Sequence, residues 1–215
     1  MTQSPTIQLA PLKIKCTSTD CDNGLHCFKQ NRKKKVANPF GQCRSCGTDL
    51  VDWNRVQKRD LSDVNYTFYA LKHELIRHHF WHVEIDQKAI NHARRKGKSG
   101  MRVAAQNRIR KSVGSAQHPC EGRQTPKENS GNGIFYAQHA TACCCRKCME
   151  YWHNIPLGRE LTEQEIGYFT NLVMLYIEER LPILTEHGEK VPRLKPLRLE
   201  NLSTEDEGGK SFDGN

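Results

Sequence analysis

No window of this chain approaches the roughly 18 consecutive apolar residues that a membrane span requires. Residues 1–12 lack a basic segment followed by an apolar one, so no secretory signal is expected either. Apolar residues are scarce throughout, at 36% with aromatics at 7%, and the mean hydropathy is -0.75. A core drawn from that supply is modest for 215 residues. The shortage of aromatics also argues against an extended platform for stacking bases. The chain has no P-loop, no Gly-x-Ser-x-Gly elbow and no dinucleotide fingerprint. From Lys88 to Lys111 there is no acidic residue at all.

Cysteine, by contrast, is abundant. The chain carries ten, and two tight clusters of them have metal-ligand spacing. Without a secretory signal, a reducing, cytoplasmic setting is expected, and clustered thiols there indicate metal or catalysis rather than disulfides. Zinc is the expected ion, at two sites, because its binding free energy would offset the small core.

The first cluster comprises Cys16, Cys21, Cys27, Cys43 and Cys46. Cys43-x2-Cys46-Gly47 is a knuckle in which glycine lets backbone amides turn toward the thiolates. Cys16 and Cys21 are the preferred second pair for their tighter spacing, with Cys27 as the contender. The second cluster offers His139, Cys143, Cys144, Cys145, Cys148 and His153, more than one tetrahedral ion takes. Three consecutive thiols diverge too much to share an ion. The expected set is therefore Cys145, Cys148, His153 and either His139 or Cys144. An all-thiolate set would also suit an iron–sulfur cluster.

Familiar enzyme signatures fail on the same residues. A zinc deaminase needs His-x-Glu followed by Pro-Cys-x-x-Cys, whereas His139-Ala140-Thr141 has threonine in place of the acid and no proline precedes the thiols. His73-Glu74-Leu75-Ile76-Arg77-His78 spaces its histidines five apart, where a zincin needs four. Glu74, His78 and His82 do share one helical face, as a third metal or acid–base stripe or as a polar face with Phe80 and Trp81 behind it. An open second site would place Thr125, Gln138, His139 and Thr141 beside a metal-bound water, with His139 and Thr141 as catalytic candidates. The nearby carboxylates, Glu121, Glu128, Glu150 and Glu160, are too scattered for two-metal nuclease chemistry.

The segment from Gly122-Arg123-Gln124-Thr125-Pro126, through Ile134-Phe135-Tyr136-Ala137-Gln138-His139-Ala140-Thr141-Ala142-Cys143-Cys144-Cys145 and Cys148, to Trp152-His153-x-Ile155-Pro156-x-Gly158-Arg159-Glu160-Leu161-Thr162 resembles an uncharacterised bacterial domain-of-unknown-function family. The resemblance runs from about Gly122 to Leu181. It implies a metal-binding domain with no assigned activity. It also implies that Cys144, Cys145, Cys148 and the two histidines recur, while Cys143 is optional.

The expected organisation is a loose leader over 1–12, a Cys-rich zinc module over 13–59, a basic helical region over 60–113, a Cys/His metal-binding domain over 114–182 and a disordered acidic tail over 183–215. The expected fold class is small, mainly helical α+β, with a zinc-ribbon or knuckle-like N-terminal module and a short strand at Ile134–Ala137. Helices are expected near Leu71–His82, Ala89–Ala93 and Met101–Val113, with a break at Gly97-Lys98-Ser99-Gly100. Thr162 and Glu165 form a capping box opening a helix that buries Ile166, Phe169, Val173 and Tyr176 and stops before Pro182.

Net charge is +9. Nine basic residues crowd 88–111: Lys88, Arg94, Arg95, Lys96, Lys98, Arg102, Arg108, Arg110 and Lys111. Lys33, Lys34 and Lys35 add a second run. An uninterrupted basic stretch suits a polyanion, because each neutralised phosphate releases counterions. The expected function is thus a zinc protein that binds DNA or RNA through basic helices. A metal-dependent hydrolase acting on nucleic acid is the first alternative. An interaction subunit docking on an acidic protein partner is the second.

Overall fold

Side-chain caps start most of the longer helices. The computed structural model describes residues 14–30, 40–117, 123–126 and 131–192. Within them α1 spans Trp53–Lys58, α2 Val64–Ala70, α3 Leu75–His82, α4 Gln87–Ser112, α5 Gly133–Ala140, α6 Arg146–His153 and α7 Glu163–Arg180. Asp52, Asp86 and Asn132 each accept a backbone N–H in the first turn of α1, α4 and α5. Thr162 and Glu165 satisfy each other's backbone donors at the start of α7, forming the expected capping box.

The β part of the expected α+β class is absent among the described residues, where pairing is limited to two isolated bridges, Asp20 with Leu25 and His26 with Glu74. Ile134–Ala137 lies in α5 rather than in a strand. A short apolar run has no period that separates a buried strand from a buried helix, and the Asn132 cap decides for helix. No described helix is long and apolar enough to cross a membrane.

One buried cluster runs from Phe28 through α2–α7 to Leu184. α7 lies at its centre, burying Ile166, Phe169, Val173 and Tyr176 as its spacing requires. The cysteine-rich segment joins this core through aromatics. Trp152 of α6 lies 5.8 Å from Phe28 and 5.0 Å from Trp53. Trp53 Nε1 donates to the Gly41 carbonyl at 3.0 Å. A Cβ at residue 41 would fall 2.3 Å from that nitrogen, so only glycine allows the approach.

α4 breaks at Gly97, whose φ of 64° and ψ of 178° are not helical. The chain after α7 closes the break. Lys98 N donates to Thr185 O at 2.9 Å, Ser99 N to Glu186 O at 3.1 Å, and Glu189 N to Arg94 O at 3.0 Å. Thr185, Glu186 and Glu189, within the stretch expected to be a disordered tail, are thus hydrogen-bonded to the body here, because the break frees donors that need acceptors. The rest of that tail, the leader and Lys33, Lys34 and Lys35 lie outside the described residues.

A Cβ on residue 97 would sit 2.4 Å from the His187 backbone carbon, and the positive φ adds strain. Gly97→Ala should therefore destabilise the protein by roughly 1–3 kcal/mol in urea unfolding. An unchanged midpoint would mean that the break and its cover are not coupled.

Candidate metal centres

In the first centre the knuckle forms as a turn, with Cys43 N donating to Thr48 O at 2.8 Å and Gly47 N to Cys43 O at 2.9 Å. Gly47 takes the positive φ of 77° that this turn demands. Cys21, on a short 3-10 turn, brings its Sγ to 3.8 Å from Cys43 Sγ. His26 Nδ1 lies 3.4 Å from Cys46 Sγ. The four ligand atoms of Cys21, His26, Cys43 and Cys46 all fall within 4.8 Å of one another. Burial, followed by hydrogen bonding with Cys46 and Cys43, pushes the Cys21 thiol up to about 12. Hydrogen bonding with Thr48 draws Cys46 down to about 6.

Three of the five clustered cysteines thus meet a histidine. Sequence spacing had pointed to cysteines alone, although Cys21-x4-His26 is itself a readable chelating pair. Cys27 faces elsewhere, donating its thiol to Cys16 O at 3.4 Å, and burial raises it to about 12. Cys16, the preferred partner of Cys21, stands outside this group, and interaction with Cys148 lowers its thiol to about 5.

The second centre is built where α5 turns into α6. Ala142 adopts the left-handed region, φ 54°, and the turn closes with Cys143 N on Gln138 O at 3.0 Å. Cys143 is turned toward Thr141, its Sγ 3.2 Å from that hydroxyl. Cys145 then stands as N-cap of α6, and Cys148 lies one turn on. Cys144 Sγ and Cys148 Sγ are 3.5 Å apart, and the sulfurs of Cys144, Cys145 and Cys148 lie within 4.8 Å of one another. All three residues are buried, at 4%, 6% and 2% exposure.

A buried ion pair supports these sulfurs. Arg77, fully buried, donates from Nη2 to Cys148 Sγ at 3.2 Å and to Tyr151 Oη at 2.8 Å, and from Nη1 to the His139 carbonyl. Its Nε donates to Glu74 Oε2 at 3.0 Å. Glu74, also fully buried, accepts from Tyr151 Oη and Trp152 Nε1 at 2.7 Å each. Glu74 therefore points inward, away from the stripe it was expected to form with His78 and His82. Those two rings stack on each other at 4.0 Å.

The histidines flanking the thiols stand outside the sulfur group. His139 stacks on Phe80 at 4.4 Å and its Nε2 lies 3.1 Å from the Pro126 carbonyl. His153 Nε2 lies 3.1 Å from the Thr141 carbonyl, and its ring packs against Tyr168 and Phe169. Thr141 is fully buried and donates its hydroxyl to Ala137 O at 2.7 Å. Gln138 is also buried and donates to the Cys143 carbonyl at 3.2 Å. Thr125, Gln138, His139 and Thr141 therefore do not converge on an open position.

The basic stretch is partly engaged within the fold. Arg94 pairs with Glu189 at 2.7 Å and Arg110 with Glu163 at 2.6 Å. Arg102 donates to Asn171 Oδ1 at 2.9 Å. Arg108 donates to Gln124 O at 2.7 Å and lies over the Phe135 ring. Lys88, Arg95, Lys96 and Lys111 are exposed, and Lys98 is half-buried.

With the geometry in place, comparison adds a family. The model of a domain of unknown function, DUF4186, matches residues 65–178, more than half of the chain. The chain belongs to this family. The DUF4186 match begins well before Gly122, so it takes in Glu74, Arg77 and the basic helix as well as Cys144, Cys145, Cys148 and both histidines. Cys16, Cys21, His26, Cys43 and Cys46 lie outside it. No solved structure matches the chain.

Two outcomes follow from this geometry. Arg77→Leu strands the Glu74 carboxylate without its cation, and should cost about 3–5 kcal/mol in urea unfolding. A loss below about 1 kcal/mol would show that the pair is not held as described. Burial depresses His153 from its usual 6.5 to about 3. Because the folded value is the lower one, the unfolded chain binds the proton first. The stability that the neutral ring contributes is complete above pH 6.5 and is lost as pH falls toward 3. His153→Gln, measured beside the parent with chelator present, should flatten that acid limb by up to one proton. Identical slopes would place His153 in water.

Proposed function

We propose that this chain is a zinc protein with two structural metal sites, and that its exposed basic side chains bind nucleic-acid phosphates. The observation that carries the metal reading is the meeting of Cys21, His26, Cys43 and Cys46 within 4.8 Å. Three sulfurs and one imidazole nitrogen, from turns that close on themselves, form a donor set suited to tetrahedral zinc. Metal binding would displace the protons that Cys21 retains and staple the early segment to itself. Enclosure of Cys144, Cys145 and Cys148 favours a structural role at the second site, since a hydrolytic metal needs an open position for water. The burial of Thr141 and the engagement of His139 weigh in the same direction.

The nucleic-acid part rests on the exposed Lys88, Arg95, Lys96 and Lys111 together with the net charge of +9. The internal partners of Arg94, Arg102, Arg108 and Arg110 make this footprint smaller than the run of charges suggests. Such side chains would fix phosphates without reading bases.

Elemental analysis of reductively purified protein should find two zinc ions per chain, falling to one in His26→Ala. No zinc in the parent protein would end the metal reading. Binding to labelled duplex DNA and to a structured RNA, followed across salt, tests the second part. Neutralising Lys88, Arg95, Lys96 and Lys111 to Gln should flatten the slope of log affinity on log salt, by roughly 0.9 for each B-DNA phosphate left without its cation. An unchanged slope would exclude these four side chains as the phosphate contacts.

A further inference from the structure

We propose that His78 and His82 form a third metal site, an open one at the surface of α3, which takes a borderline divalent ion such as zinc or nickel. It is separate from the two thiol centres and goes beyond the structural role given to them. The two residues stand four apart on α3, the spacing that brings side chains together on one face of a helix. Zinc-binding helices place their paired histidines at the same interval. Here the rings are already side by side, with centroids 4.0 Å apart and planes inclined by 28°.

The hydrogen bonding of His82 is suited to the role. Its Nδ1 lies 2.8 Å from the His78 carbonyl. A carbonyl only accepts, so Nδ1 carries the proton, and in the neutral ring Nε2 keeps the lone pair that a metal needs. A carbonyl on the far nitrogen is the usual outer support of a metal-bound histidine, because it fixes both tautomer and orientation. Access is not blocked: His82 is exposed and His78 half-buried. The other members of the helix face elsewhere. His79 stands edge-on to Phe80 at 5.2 Å, and Glu74 is turned into the core toward Arg77.

Among the described residues no cysteine, acid or further histidine groups with this pair. Two imidazoles fill only part of a coordination sphere, so the remaining positions go to water. Imidazole nitrogen suits zinc, nickel and copper(II), whereas the buried sulfurs favour softer ions. The ion here would therefore exchange with solvent and leave on dialysis, which keeps it apart from the two tightly held zinc ions expected above. Its water positions could be taken by an incoming ligand, an opening that the enclosed sulfurs of the second centre do not offer.

Long-range proton–nitrogen correlation spectra of the full chain read each histidine ring nitrogen separately. The protein is first loaded with zinc and dialysed, then titrated with further zinc at about pH 7.5, where imidazole is mostly neutral. The Nε2 signals of His78 and His82 should move together to metal-bound positions with one added ion per chain. His82→Ala should weaken that step at least roughly ten-fold. His73→Ala, at an exposed histidine five positions before His78, should leave it unchanged. Zinc that moves neither ring, or binding by His82→Ala as tight as in the parent, would overturn the proposal. Because the rings are read directly, a chain that retains no zinc after dialysis would refute the two thiol sites while the same titration still decides this one.

Discussion

The buried pair of Glu74 and Arg77 is the constraint around which the rest is arranged. A carboxylate and a guanidinium taken fully out of water are tolerable only when they pair and are well hydrogen-bonded, and here Glu74 Oε1 is the oxygen left without a hydrogen bond. Glu74 Oε2 is met by Arg77, Tyr151 and Trp152, and Arg77 by Glu74, Tyr151, the His139 carbonyl and the cluster sulfurs. Those partners fix α3, α5 and α6 relative to one another. The backbone around Glu74 does the same for the early segment. His26 N donates to His73 O at 2.8 Å, and Leu75 N donates to His26 O at 2.9 Å. One ion pair therefore connects the two thiol clusters, lying beneath the second and bracketed by a ligand candidate of the first.

This arrangement explains how a chain so poor in apolar residues holds a single core. Three aromatics, Phe28, Trp53 and Trp152, seal the early segment against α6. One thiol centre belongs to that early segment and the other to the start of α6, and metal at either would supply free energy that the core does not. In DUF4186 terms, the family match contains the pair and one set of thiols, and the segment before it brings the other set. The added segment packs into the domain and is not merely tethered to it.

The basic stretch shows how charge in sequence and charge at a surface differ. Nine cations over 88–111 look like an uninterrupted polyanion footprint. In the fold, Arg94 and Arg110 meet Glu189 and Glu163, which arrive from distant parts of the chain. Exposed pairs of this kind add little stability, yet they reduce the charge available to a ligand. The Gly97 break has a similar logic, since the donors it frees are met by the carbonyls of Thr185 and Glu186 and the Arg94 carbonyl by Glu189 N.

Local chemistry was legible in the sequence where it depends on neighbours a few residues apart. The Thr162–Glu165 capping box, the apolar face of α7, the interruption at Gly97 and the Cys43-x2-Cys46 knuckle all follow from spacing alone. So did the resemblance to a family without assigned activity. Spacing failed where the partner is remote or the period ambiguous: Ile134–Ala137 reads equally as strand or helix, and its cap decides. The grouping of thiols was decided only by tertiary structure. Cys16 lies only five residues from Cys21, yet it stands outside the group that Cys21 forms with His26, Cys43 and Cys46. Sequence proximity sets which ligands are available. Which of them meet depends on where a buried ion pair and an aromatic seal bring the segments together.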